Sequence, residues 1–157
     1  MSDSLAVYLH DHLAGAVAGV NLLEALSEQH TGEPLGLFAA ALLEEVEEDR
    51  AALQAIADRV GAGSSGVKNA AAWVTEKISR LKLSRDSAAD FGTFETLEAL
   101  SLGIMGKRSL WRALATQSTR LGDVNLQSLE ARADAQFNRV EEQRMKLAGQ
   151  ALRFSKA

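Results

Sequence analysis

The residues best suited to do chemistry form an acidic run at positions 44–49, where five of the six residues are Glu or Asp. On a helix, Glu45 and Asp49 lie one turn apart on the same face, so their carboxylates could bind a divalent cation weakly. The same composition is typical of a solvated helix face, and acids are favoured in the N-terminal half of a helix. The run therefore predicts either a solvated face or a weak cation site.

Histidine is the other candidate metal ligand, and the three histidines are His10, His12 and His30. His10 and His12 are two residues apart, so on a helix they point about 200° apart and cannot chelate one ion together. Cysteine is absent, which excludes thiolate ligands, disulfides and a cysteine nucleophile. Ser27 lies close to His30 in sequence, but no third residue orients the pair, so nucleophilic catalysis is not predicted.

Charge and hydropathy exclude two further classes of protein. The net charge of the 157 residues is −4 and no dense Lys/Arg block occurs, which argues against a nucleic-acid partner. The most apolar run, residues 13–26, contains Asn21 and Glu24 and is shorter than the ~20 apolar residues of a membrane span. The chain begins without a basic leader, and with no cysteine it is expected to be cytoplasmic.

The elements that must position these residues are helices, because apolar residues recur at intervals of three and four almost throughout. The pattern predicts a single all-α domain over residues 1–157, with helices at about 4–30, 34–60, 67–82, 93–118 and 125–154. Gly32 and Pro34 make the first connection short, and Gly122 does the same before the last helix. Short connections favour antiparallel helical hairpins.

The second and third long helices are separated by residues 62–91, which contain the short helix expected at 67–82. A helix of 27 residues is about 40 Å long, and this connection can cover that distance. We therefore expect two antiparallel hairpins joined by a long crossover, which leaves the two middle long helices parallel. An up-down-up-down bundle is the alternative.

The segments Leu-Leu-Glu-Glu-Val-Glu-Glu-Asp-Arg at 42–50 and Asp-Ala-Gln-Phe-Asn-Arg-Val-Glu at 134–141, together with this layout, resemble the ferritin-like superfamily. The chain also resembles the bacterial stress-associated branch of that superfamily, in which a helical hairpin with an acidic run precedes a crossover helix. The resemblance covers the whole chain and implies a ferritin-like four-helix bundle. The functions that it implies range from iron oxidation to no known chemistry.

The resemblance also implies a di-metal site, with one Glu from each of two helices and a Glu-x-x-His from each of the other two. No Glu-x-x-His occurs in the chain, and residues 14–17, where helix one would offer a glutamate, read Ala-Gly-Ala-Val. At the corresponding height the third long helix offers Arg108, a permanent cation. We therefore predict that the di-metal site is degenerate, with no metal, cofactor or catalytic residue.

In place of the metal, the pattern predicts an internal polar cluster, in which Asp49 or Glu45 pairs with Arg108 and Gln136 and His12 assist. The alternative is that Asp49 and Arg108 both extend to the edge of the bundle.

A competing hypothesis is a metal-binding or iron-handling protein with a carboxylate-only site. Its ligands would be Glu24, Glu45, Asp49, Glu98 and Glu130.

Small residues form a smooth stripe on the first helix, with Gly15 and Gly19 flanked by Ala14 and Ala18. In a bundle, such a stripe accommodates a bulky neighbour such as Trp111 or Phe137. The alternative is a homodimer through this helix. The sequence thus predicts a non-catalytic protein with a structural or protein-interaction role, linked by the resemblance to bacterial stress.

Overall fold

The computed structural model describes residues 3–63, 71–83 and 87–154. Helices make up nearly all of these residues, and no strand occurs among them, so the all-α prediction is confirmed. The helices are α1 (Asp3–Gln29), α2 (Pro34–Arg59), α3 (Ala71–Leu83), α4 (Ser87–Ala115), α5 (Ser118–Leu121) and α6 (Leu126–Ala151).

The turn between α1 and α2 follows from two residues. Gly32 has a φ of +82°, in the left-handed region that glycine adopts without strain, and Pro34 occupies the first turn of α2, where its missing N–H is not needed. Glu33 between them is extended, and its N–H donates to the carbonyl of His30. The chain therefore reverses within a few residues and lays α2 along α1.

The long helices pack as neighbours, with α1 along α2 and α4 along α6, while α1 also contacts α4 and α2 contacts α6. His30, just after α1, lies 3.0 Å from Thr93 Oγ1 near the start of α4, so α1 and α4 run in opposite directions. The main core between the helices is apolar. Its largest fully buried side chains are Trp111, Leu9, Leu22, Leu23, Leu26, Leu42, Ile56, Leu81, Leu97, Leu110, Leu114 and Leu121.

Both bounds of the third long helix differ from those predicted, and α6 ends at Ala151 rather than at 154. The helix expected at 93–118 begins at Ser87, with Asp90 in its first turn, where an acid is favourable. It ends at Ala115, and a separate turn of helix, α5, follows. The connection after α2 is therefore shorter than residues 62–91.

The helix expected at 67–82 is present as α3, which packs on α1 and α4 through buried Val74 and Leu81. Its predicted first turn, residues 67–70, lies outside the described residues.

Within residues 3–63, 71–83 and 87–154, none of the helices has a stretch both long and apolar enough to cross a lipid bilayer.

Candidate functional site

A network of charged and amide side chains joins α2, α4 and α6 in the interior. We call Glu45, Asp49, Lys107, Arg132 and Gln136 the central network. Asp49 is 2% exposed and Gln136 is fully buried. Buried charge is tolerated only when it is paired and hydrogen-bonded, so the bonds of each member decide what this site can do.

The Asp49 carboxylate accepts hydrogen bonds on both oxygens. Lys107 Nζ donates to Oδ2 at 2.5 Å, and Gln136 Nε2 donates to the same oxygen at 3.1 Å. Arg132 donates to Oδ1 through Nε at 2.9 Å and also through Nη2. Each oxygen thus has two donors, so the carboxylate is satisfied by protein alone.

Lys107 is held from two sides, because its ammonium also donates to Gln136 Oε1 at 2.6 Å. Its side chain is 14% exposed. Burial lowers the pKa of Lys107, while the charge of Asp49 and its hydrogen bond act in the opposite direction. An ammonium has three donors, and only two of them have acceptors in the described part of the chain.

The network continues outward through Glu45 and Arg132. Arg139 donates to Glu45 through two nitrogens, at 3.0 and 2.7 Å, in the bidentate geometry that suits a guanidinium and a carboxylate. This hydrogen bonding lowers the pKa of Glu45 against the opposing effect of burial. Arg132 also donates to Glu48 at 2.8 Å. The negative charges of Glu45, Glu48 and Asp49 are therefore balanced by the positive charges of Lys107, Arg132 and Arg139.

The predicted pairing of Arg108 with Asp49 or Glu45 is wrong. Arg108 Nε lies 2.5 Å from Asp134 Oδ1, and its Nη2 lies 4.0 Å from Glu130 Oε1, with the Arg108 side chain 28% exposed. Because consecutive helical residues point about 100° apart, Lys107 faces the interior where Arg108 was expected.

Of the two other residues predicted for the polar cluster, Gln136 belongs to the network and His12 does not. Gln136 belongs to the network, since it donates to both Glu45 and Asp49. His12 makes no hydrogen bond to the network. Its ring packs edge-on against Tyr8 with centroids 4.7 Å apart, and burial lowers its pKa, opposed by Asp11.

The five acids proposed as a carboxylate-only site do not meet. Glu24 is exposed, Glu98 pairs with Arg144, and Glu130 lies 3.4 Å from Arg112 Nε. Glu45 and Asp49 are hydrogen-bonded to basic side chains, as described above. Among the described residues, no group of three or more His, Asp or Glu side chains is placed to hold an ion.

The side chains at the centre do not fit the di-metal site that the ferritin-like resemblance implies. The central carboxylate, Asp49, already carries an ammonium and a guanidinium, both of which would repel a metal cation. On α1, the residues that line the cavity beside Asp49 include Gly15 and Ala16, which have no ligand atom on their side chains, and His12, which makes no hydrogen bond to the network. The donor set is therefore that of an ion-pair network.

A cavity of about 390 Å³ lies next to the network, between α1, α2 and α4. Small residues from two helices make much of its wall: Gly15, Ala16, Ala18 and Gly19 on α1, with Ala99 and Gly103 on α4. The polar side chains at its wall are those of His12, Asp49, Arg50 and Lys107. The cavity is thus mainly apolar with a few polar groups, a composition and size typical of small-molecule sites.

The small stripe on α1 does not accommodate a bulky neighbour, contrary to the prediction. A Cβ atom built on Gly15 or Gly19 meets no other atom within 4 Å, and the same holds for Gly103 across the cavity. Trp111 does border the cavity, but it does not pack against these glycines. The missing side chains leave open space.

Lys107 and Arg132 are not among the residues predicted for the polar cluster. Lys107 carries a usable signal, because it follows Ile104 by three residues and precedes Trp111 by four, which matches the core spacing as well as Arg108 does. Arg132 is a partly exposed residue of α6, and only the approach of α2 makes it a partner of Asp49.

Comparisons of the chain with protein-family models, with curated proteins and with solved structures found no match.

Proposed function

We propose that this chain is a cytoplasmic, non-catalytic protein of the ferritin-like superfamily, with an ion-pair network where other members bind two metal ions. Its role is structural or protein-binding, and the link to bacterial stress rests on the resemblance alone. The observation that carries the proposal is Asp49, a buried carboxylate with both oxygens taken by Lys107, Arg132 and Gln136.

The ferritin-like arrangement is supported by the direction of the long helices. His30, just after α1, lies beside Thr93 near the beginning of α4, and a short turn joins α1 to α2. Helices α2 and α4 are thus both antiparallel to α1, which requires the chain to cross the length of the bundle between them. An experimental structure with α2 and α4 antiparallel would contradict this part of the proposal.

The competing function is metal binding through carboxylates alone. It is disfavoured because Glu45, Asp49, Glu98 and Glu130 each pair with Arg or Lys, so metal binding would have to break those pairs and bring separated acids together.

The direct test is the metal content of the purified protein. The chain is produced in medium with added iron and manganese, and the bound metal is measured by elemental analysis, before and after anaerobic reloading of chelator-treated protein. We expect far less than one ion per chain in each case. One ion or more per chain, retained through gel filtration, contradicts the proposal. A Lys107→Glu variant, which adds a carboxylate beside Asp49 and Glu45, serves as the comparison.

Self-association through α1 is the second candidate role. Gly15 is exposed, and the space around Gly15 and Gly19 would allow the backbone of another helix to approach closely. Sedimentation equilibrium measures the association directly. A Gly15→Leu variant should dissociate such a dimer, while a Gly149→Leu variant, with equally open surroundings on α6, should not.

A further inference from the structure

The cavity between α1, α2 and α4 has a shape that suits one elongated small molecule. It reaches from His12 and Trp111 to Leu23 and Leu100. His12 and Leu23 are eleven residues apart on α1, which corresponds to about 16 Å along the helix. Apart from the four polar side chains named above, its wall is made of aliphatic residues, glycines and Trp111. A ligand of this site therefore has a mainly hydrocarbon body.

The space is not explained by helix packing. Glycine in a helix interior is unfavourable relative to alanine, so glycines that contact nothing weaken α1 and α4 without a compensating close approach. Gly15, Gly19 and Gly103 all border this one cavity and all have room for a Cβ atom. Larger side chains at these positions would fill the cavity.

Three side chains at the wall, those of Lys107, Arg50 and Trp111, have a donor without an acceptor among the described residues. Lys107 has one ammonium donor left over, and the Arg50 guanidinium, on an exposed residue, makes no hydrogen bond or ion pair with the rest of the described chain. Trp111 borders the same cavity, and its buried Nε1 has no acceptor among the described residues. Asp49, the one acid of the wall, has both oxygens occupied.

The charged side chains at the wall carry a net positive charge. Arg50 and Lys107 carry two positive charges against one negative charge on Asp49. A ligand that satisfies these groups supplies an acceptor with negative charge. From this geometry we infer that the cavity binds a molecule with a medium-length hydrocarbon body and one carboxylate. The carboxylate faces Lys107 and Arg50.

The inference is tested with decanoate as the probe, against 1-decanol and decylamine, which share its chain but not its charge. Binding to the intact protein is measured by isothermal titration calorimetry below the micelle concentration of each probe. The fluorescence of Trp111 in a Trp73→Phe background gives a second readout. We expect saturable one-to-one binding of decanoate, weaker binding of decanol, and the weakest binding of decylamine.

Two variants assign the binding to this cavity. A Cβ atom at position 19 meets no other atom within 4 Å, so Gly19→Leu places its side chain in the cavity and should abolish binding of both decanoate and decanol. Arg50→Gln removes an exposed cation that has no partner and should weaken decanoate roughly three- to tenfold while it leaves decanol unchanged. Arg153→Gln makes the same change on an exposed residue far along the chain and should have no effect.

Several outcomes would overturn the inference. They are the absence of saturable decanoate binding, a Gly19→Leu variant that binds as the wild type does, or decanol binding as tightly as decanoate. A dimer that occupies this face, detected by sedimentation and dissociated by Gly15→Leu, would assign the cavity to a second copy of the chain. None of these results depends on the metal content, so the ligand inference and the proposed function fail separately.

Discussion

Lys107 Nζ lies 2.5 Å from Asp49 Oδ2, across the interior between α4 and α2, whereas the adjacent Arg108 reaches Asp134 at the partly exposed side of α4. The buried charge of Asp49 is therefore balanced from α4 by an ammonium and from α6 by the guanidinium of Arg132. Of these two adjacent basic residues, Lys107 is mostly buried and Arg108 is partly exposed. Removing the buried ion pair and removing the partly exposed one should therefore have different effects on stability.

Replacing Asp49 by Asn should lower the free energy of unfolding by about 3 kcal/mol, because Lys107 would remain buried without its counter-charge. The measurement is chemical denaturation at neutral pH. Asp49→Leu combined with Lys107→Met should lose less than the sum of the two single changes, since no charge is then left unpaired.

The matched control is Arg108→Met on the same helix. Its partner, Asp134, is half exposed, so the loss should stay under about 1 kcal/mol. Equal losses for Arg108→Met and Asp49→Asn would show that the central network is not the buried feature described above.

Glycines at the cavity should tolerate alanine. Gly19→Ala and Gly103→Ala should each raise the free energy of unfolding by about 0.5–1 kcal/mol, because alanine is the better helix former and its methyl group meets no atom within 4 Å. Thermal denaturation followed by circular dichroism measures the change. Gly36→Ala is the contrast, since its Cβ would overlap the backbone carbonyl of His30, and the protein should be destabilised. A stabilised Gly36→Ala protein would contradict the close approach of these two segments.

Stability should depend on pH through His12. Burial lowers its pKa in the folded protein below the ordinary value of 6.5. As the pH falls below 6.5, the unfolded chain takes up this proton before the folded chain does, so the free energy of unfolding decreases. His12→Gln should remove that part of the decrease, as measured by denaturant titrations between about pH 7 and pH 5. Asp11→Asn, which removes the acid that raises this pKa, should shift the NMR titration of His12 to still lower pH.

Glu45 should titrate below an ordinary glutamate, because Arg139 donates two hydrogen bonds to its carboxylate. The stability from this pair is present above the ordinary pKa of 4.5 and is lost as the pH falls through the lower folded value. Arg139→Gln should move the carboxyl titration of Glu45, followed by ¹³C NMR, back toward its ordinary value. Arg153→Gln should leave it in place, and an unchanged titration in Arg139→Gln would show that the ion pair is absent in solution.

The helical character of the chain was predictable because it depends on local patterns. Apolar spacing of three and four marks each long helix. Gly32 marks the end of the first helix, and Pro34 marks the beginning of the second. The start of α4 was not predictable from such patterns. Residues 84–90 are mainly polar, so the apolar pattern places the beginning of this helix at about Thr93, yet α4 already begins at Ser87.

The candidate site was predictable only in part, and the physical reason lies on α4. With Ile104 taken as the centre of the buried face, Lys107 lies about 60° to one side and Arg108 about 40° to the other, so periodicity admits both. Gln136 was predicted because it lies on the buried stripe of α6 at about the height of Asp49 and Arg108. Arg132 has no such signal, since an arginine on a charged helix face is ordinary.

The sequence by itself determined the all-helical structure, the turn at Gly32 and Pro34, and the position of Asp49 on the apolar face of α2. These features depend on residues close together in the chain. Only the tertiary structure decided that Lys107 and Arg132 neutralise Asp49 and that the glycines of α1 and α4 border open space. Those outcomes depend on the rotation of α4 and α6 about their axes and on their distance from α1 and α2, which are set by packing of the whole core.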